Sequence, residues 1–293
     1  MYNKACDVIK LCEEKNKKIS EIGILKEAKM RDLPEEDVVN EMKNVLEVMK
    51  KSATMGLENP ILSQSRITGG NALKINNYLK NNKSLSGNLI NRSMAMAVST
   101  SEVNASMGVI CAAPTAGASG ILPSSILNAK EKLGSSDEDV IFALFTAAVI
   151  GELATKNATV SGAEGGCQAE CGVAASMAAA AIVEMAGGSP VDSFNAASFA
   201  LINVMGLICD PVAGLVEYPC FLRNASGVVN AFISADLALA GVQSLIPFDE
   251  VLEAMYKVGR SLPDALRETA LGGISITPTA KEIARRFYNG TTK

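Results

Sequence analysis

Val173-Ala174-Ala175-Ser176-Met177-Ala178-Ala179-Ala180-Ala181-Ile182-Val183-Glu184-Met185-Ala186 decides the fold. Between 177 and 182 it contains only Met, Ala and Ile, so no face of a helix built from it is polar. A helix that is apolar all round is buried all round. Outward from this stretch the chain repeats the theme. Five strongly apolar segments, about 92–112, 137–156, 167–187, 190–208 and 227–246, are separated by short loops rich in Gly, Pro and small residues. Alternating strand patterns with β-branched and aromatic residues are scarce. The expected architecture is therefore all-α, a helical domain built around a buried Ala-rich central helix, with reactive loops between helices.

Composition agrees with that architecture. Of the 293 residues 48% are hydrophobic, but only 4% are aromatic and none is Trp, so the core is made of Ala and aliphatic side chains that allow close helix–helix approach. Residues 1–58 read as peripheral amphipathic helices. Asp32-Leu33-Pro34-Glu35-Glu36 gives the clearest helix start, with Asp32 or Leu33 at the cap and Pro34 in the first turn. A Gly-, Asn- and Ser-rich stretch, 59–89, separates this layer from the core at 90–293, where any chemistry is expected, and the whole of 1–293 is expected to form one domain.

Several function classes are excluded. A net charge of −4 leaves no basic footprint for nucleic acid. The apolar runs at 141–154, 173–186 and 196–208 fall short of the roughly 18 residues a membrane span requires. Met1 to Lys18 is charged throughout, without the apolar centre of a signal peptide. A cytoplasmic location is thus expected, in which seven cysteines are poor disulfide candidates. There is no histidine at all, which removes His-based triads and the usual general base.

Four loops carry reactive groups on special backbone. In 112–123, Thr115-Ala116-Gly117-Ala118-Ser119 lies between Pro114 and Pro123, a tight turn whose exposed amides suit a carboxylate, or else a close helix connection of small residues. In 156–170, Lys156, Ser161, Glu164, Cys167 and Glu170 crowd between two very apolar helices, where ionisable groups would be desolvated. Cys209-Asp210-Pro211 and Tyr218-Pro219-Cys220 each place a thiol beside a proline, and Arg223 and Asn224 follow the second. Rigid loops suit metal ligands, but the spacings match no short C-x-x-C signature, so buried free cysteine and metal ligation both stay open. Cys6, Cys12, Cys111 and Cys171 are assigned to packing, although Cys171 lies one helical turn from Cys167.

Taken together, these loops resemble the α chain of the bacterial iron–sulfur L-serine dehydratases. The matching elements are Ser101-Glu102-Val103-Asn104-Ala105-Ser106-Met107-Gly108, the 113–118 loop, Ser161-Gly162-Ala163-Glu164-Gly165-Gly166-Cys167-Gln168-Ala169-Glu170, Cys209-Asp210-Pro211-Val212 and Glu217-Tyr218-Pro219-Cys220. The resemblance implies a [4Fe-4S] cluster on Cys167, Cys209 and Cys220, with a fourth iron free to act as a Lewis acid on the serine hydroxyl. It implies L-serine ammonia-lyase activity, giving pyruvate and ammonia and feeding gluconeogenesis. Thr115, Ala116, Gly117 and Ser161 are the expected substrate-binding residues. Lys156 is the candidate base if burial lowers its pKa, and otherwise a partner for the substrate carboxylate. A β chain carrying a Ser-His-Thr loop would supply the missing histidine as the partner of a heterodimer. The chain ends Tyr288-Asn289-Gly290-Thr291-Thr292-Lys293, without the terminal cysteine that guards the free iron in some relatives, so marked oxygen sensitivity is expected. Three rivals remain: another iron–sulfur hydro-lyase, a pyridoxal-phosphate lyase with Lys74 or Lys156 as Schiff base, and a non-catalytic helical scaffold.

Overall fold

The computed structural model describes residues 2–81 and 84–290. Among them are thirteen α-helices and no β-strand, only two isolated bridges, Leu62 with Gly69 and Cys209 with Arg267. Among the described residues no helix is long and apolar enough to cross a membrane.

The Ala-rich stretch forms α9 (Val173–Met185), in which every residue from Val173 to Glu184 is buried. Four further helices surround it: α6 (Ile121–Leu133), α7 (Asp137–Asn157), α10 (Pro190–Ile202) and α11 (Cys220–Leu239). Alanine side chains on α9 let these neighbours approach closely, and the Ser176 hydroxyl pays its own way by donating to the Ala197 carbonyl on α10 (2.7 Å). Around this centre lie α1 (Ala5–Lys15), α2 (Ile19–Arg31), α3 (Glu35–Met55), α4 (Asn71–Lys80) and α5 (Gly87–Ala105). Tyr2, Val8, Ile19 and Leu46 are fully buried and belong to the same apolar core as α7 and α9. α12 (Phe248–Ser261) packs on α10. α13 (Pro278–Tyr288) closes a small separate cluster with Val212, Ala213 and Ile67.

Long-range acids cap the outer helices. Glu184 on α9 accepts the Ile19 and Ser20 amides at the start of α2 (2.9 and 3.3 Å). Glu102 on α5 accepts the Asn71 amide opening α4 (2.6 Å), and Asp249 on α12 accepts the Ala5 and Cys6 amides of α1 (2.8 and 3.3 Å). Each anion satisfies orphan donors at the positive end of a helix dipole.

Several boundaries differ from those expected. Asp32 adopts φ +53° and closes α2, so Pro34 is the cap of α3 and Glu35 its first residue. α5 stops at Ala105, beyond which Met107 turns through φ +65°. Helix α6 begins at Ile121, inside the expected loop. Pro123 falls in its first turn, where its missing amide has no helical partner to lose. α10 ends at Ile202, and α11 starts at Cys220 rather than near 227 and stops at Leu239.

Candidate active site

Cys167 is presented by a tight backbone turn. Gly166 has φ +75°, and a Cβ there would lie 2.7 Å from the Leu207 carbonyl, so glycine is required. Cys167 leads into a single π-turn, Gln168–Gly172, before α9 begins; such turns in helices are frequent at functional sites. Gln168 anchors it. Its fully buried amide donates to Gly165 and Met255 carbonyls (2.9 and 3.1 Å) and accepts from the Gly206 amide (2.8 Å).

Glu170, on the same π-turn, lies at the centre of the arrangement. Its Oε1 accepts from the Thr115 hydroxyl (2.6 Å), and its Oε2 lies 4.0 Å from the Cys209 Sγ. Two glycines make room for it. A Cβ on Gly162 would sit 2.6 Å from Oε2 and 3.2 Å from the Cys209 Sγ, and one on Gly117 would sit 3.2 Å from Oε1. Burial raises the Glu170 carboxyl above its ordinary range, with the Thr115 bond opposing.

Cys209 is held by its own backbone: its amide donates to Leu266 (2.9 Å), and its carbonyl accepts from Glu268 (2.8 Å). Asp210 then accepts from the Arg223 guanidinium (2.5 Å) and the Ile274 amide (2.7 Å). Cys220 is the first residue of α11. The Asn224 side chain joins that helix to the 115–120 turn, donating to the Cys220 and Gly117 carbonyls (2.9 and 2.7 Å) and accepting from the Gly120 amide (2.9 Å). All seven cysteines are free.

The thiols act on one another. Burial, then the neighbouring Cys167 and Glu170, push Cys220 up to about 12 and raise Cys209 as well. Cys167 goes the other way. The Cys171 thiol, 3.3 Å from its sulfur, and the Arg223 charge favour the Cys167 thiolate. Among the described residues no three His, Cys, Asp or Glu side chains are placed to hold a single metal ion.

Thr115, Gly117 and Cys209 thus lie against Glu170, Cys167 and Cys220 are its electrostatic neighbours, Ala116 is in the same turn as Gly117, and Ser161 is next to Gly162. It does not bring Lys156 there. Lys156 is exposed at the end of α7, paired with Glu152 (3.5 Å) and bonded to Asn3 (3.0 Å), so nothing desolvates it as the role of base requires. Lys74 is likewise exposed, bonded to Asn71 (3.3 Å). Glu164 is exposed and accepts from Thr159 (2.7 Å). Cys171, assigned above to packing, touches Cys167. Sequence reasoning also missed the roles of Asp210 and Asn224. Their only signal was adjacency to the second and third cysteines.

The model of the serine dehydratase alpha chain family matches residues 10–275. This chain belongs to that family. A probable L-serine dehydratase alpha chain from Bacillus subtilis (strain 168) is 49% identical over 290 residues, which cover 99% of this chain and 96% of that protein. The L-serine dehydratase alpha chain of Peptoniphilus asaccharolyticus is 50% identical over 287 residues, 98% of each. L-serine dehydratase TdcG of Escherichia coli (strain K12) is 35% identical over 281 residues, 94% of this chain but 62% of that protein. Over a third of the E. coli protein therefore lies outside the match. The resemblance carried by the four loops holds along almost the whole chain, and the family is one of carbon–nitrogen lyases.

Proposed function

We propose that this chain is the cluster-bearing half of an L-serine dehydratase that converts L-serine to pyruvate and ammonia, serving serine catabolism and gluconeogenesis, with a [4Fe-4S] cluster on Cys167, Cys209 and Cys220. The observation that supports this reading is that Cys167, Cys209 and Cys220, free thiols on three separate segments, act on one another electrostatically around Glu170, beside a buried guanidinium nitrogen without a hydrogen-bond partner among the described residues. That nitrogen is Arg223 Nη1. Soft thiol ligands select iron–sulfur groups, zinc or copper(I), and a guanidinium beside them, paired with Asp210 but with one nitrogen left over, suits a group of net negative charge. Seven free thiols fit a reducing compartment such as the cytoplasm.

When bound, the cluster supplies a Lewis-acidic iron that stabilises the leaving hydroxyl. The chain's residues supply the setting. Thr115 spends its hydroxyl on Glu170, so Thr115, Ala116 and Gly117 offer serine their backbone, and Ser161 offers its side chain from the opposite loop. The carboxylate of Glu170, fixed by Thr115 and accommodated by Gly117 and Gly162, orients polar groups of the substrate. Proton removal falls to a histidine of the β chain's Ser-His-Thr loop. The surface placement of Lys74 and Lys156 gives the pyridoxal-phosphate alternative no buried lysine at this site.

Iron and sulfide measured per chain after anaerobic reconstitution test the reading. Wild type is expected to hold four of each by the stoichiometry of the cluster, and Cys167→Ser, Cys209→Ser and Cys220→Ser each to lose most of both, whereas Cys111→Ser retains them. Equal loading of all four variants, or no loading of wild type, would refute it. Substrate screening with L-serine, L-threonine and other hydroxy acids separates serine dehydration from the chemistry of a different iron–sulfur hydro-lyase.

A further inference from the structure

One buried ion pair links the three thiol-bearing segments. Asp210 follows Cys209 directly, and Arg223 lies one helical turn after Cys220 on α11. Their side chains meet at 2.5 Å, with Asp210 2% and Arg223 15% exposed. The second Asp210 oxygen accepts the Ile274 amide, and Gly273, at φ +60°, leaves the space that any Cβ would take from this carboxylate. The same guanidinium sits beside Cys167, which adds the third segment. Its Nη1 is buried and partnerless among the described residues.

We propose that Arg223, clamped by Asp210, is a positioning residue that holds the three cysteine segments in one register and tunes the potential of the cluster they bind. This inference rests on the cluster reading above. A pair this deeply buried returns little net stability, because desolvating two charges costs about as much as their attraction gains. Its value lies in geometry and field. Asp210 fixes one end of the planar fork, which leaves the other end free beside Cys167. A fixed cation there offsets the negative charge of three thiolates and a reduced cluster. Lysine would carry the charge but not the two-point geometry.

The test compares full-length wild type, Arg223→Gln, Arg223→Lys and Asp210→Asn after anaerobic reconstitution, with circular dichroism to confirm the helical fold. Partners of this kind change metal affinity by about ten- to a hundredfold. Arg223→Gln is expected to bind iron at least about tenfold more weakly, and the cluster it retains should have a more negative midpoint potential, because a cation that favours the reduced form is gone. Arg223→Lys should restore the potential while recovering only part of the iron affinity. Wild-type affinity and potential in Arg223→Gln would overturn the inference. If Arg223→Gln does not fold, Asp210→Asn carries the test: it leaves the guanidinium in place but unclamped, so weaker iron binding supports the inference and unchanged binding overturns it. Failure of wild type itself to take up iron and sulfide would instead overturn the cluster reading, and this inference with it.

Discussion

At the scale of single residues, the site depends on absent side chains as much as on present ones. Glu170 reaches the thiols only because Gly117 and Gly162 leave it room, and Thr115 fixes its rotation by a 2.6 Å bond. Gly162→Ala would place a methyl group 2.6 Å from the carboxylate and 3.2 Å from the Cys209 sulfur. Neither neighbour has slack: Glu170 is tied to Thr115, and Cys209 is pinned through its backbone to Leu266 and Glu268. A misplacement of reacting groups near 1 Å costs on the order of a hundredfold in rate. The expected outcome for Gly162→Ala is therefore a loss of that order in kcat/KM for serine, with helical circular dichroism unchanged. Activity within a factor of about three of wild type would show that the carboxylate position is not critical.

Helices form a second scale, at which most of the structure was legible in the sequence. The unbroken run from Val173 to Glu184 announced a helix buried on all sides, α7 appeared as an apolar segment of nearly the right extent, and the start of α10 was read correctly while its end was set six residues too late. What the sequence hid was which segments meet. No local rule links Thr115 to Glu170, or Asp210 to Arg223, because both are tertiary pairs formed by helix packing. The cysteines were ranked by resemblance, since spacings of 41 and 10 residues carry no geometry of their own. Tertiary caps were hidden for the same reason, and one of them predicts a pH dependence. Glu102 caps α4 from a buried position, where desolvation raises its carboxyl above the ordinary 4.5 while the Asn71 and Ala72 amides oppose. Its second oxygen has no partner among the described residues. With the folded-state value raised, the stability linked to Glu102 is fully present below 4.5 and is lost as pH rises through that folded-state value. Glu102→Gln keeps an oxygen for the Asn71 amide but does not titrate. The stability of Glu102→Gln relative to wild type should accordingly increase as pH rises from 4 to 7. Urea unfolding at several pH values measures it, and a constant or shrinking difference would contradict the assignment.

For the whole molecule, the question is what completes the site. The chain has no histidine, and its exposed Lys156 is committed to Glu152 and Asn3. The E. coli relative extends well beyond the matched region, by over a third of its length, which is room for the functions this chain lacks. A base positioned on a partner subunit accounts for both facts. General acid–base catalysis by such a residue is worth about a hundred- to ten-thousandfold. The isolated chain, reconstituted with iron and sulfide, is therefore expected to hold its cluster yet form pyruvate from serine at least about a hundredfold more slowly than the reconstituted pair. Adding the β chain should restore turnover, and a β chain whose Ser-His-Thr histidine is replaced by alanine should bind equally well without restoring it. Iron content must stay constant across the three samples, so that the change reports the missing proton acceptor rather than a damaged cluster. Turnover by the isolated chain at the rate of the pair would place the base on this chain, with Glu170 the first residue to test because its carboxylate lies 4.0 Å from the Cys209 thiol.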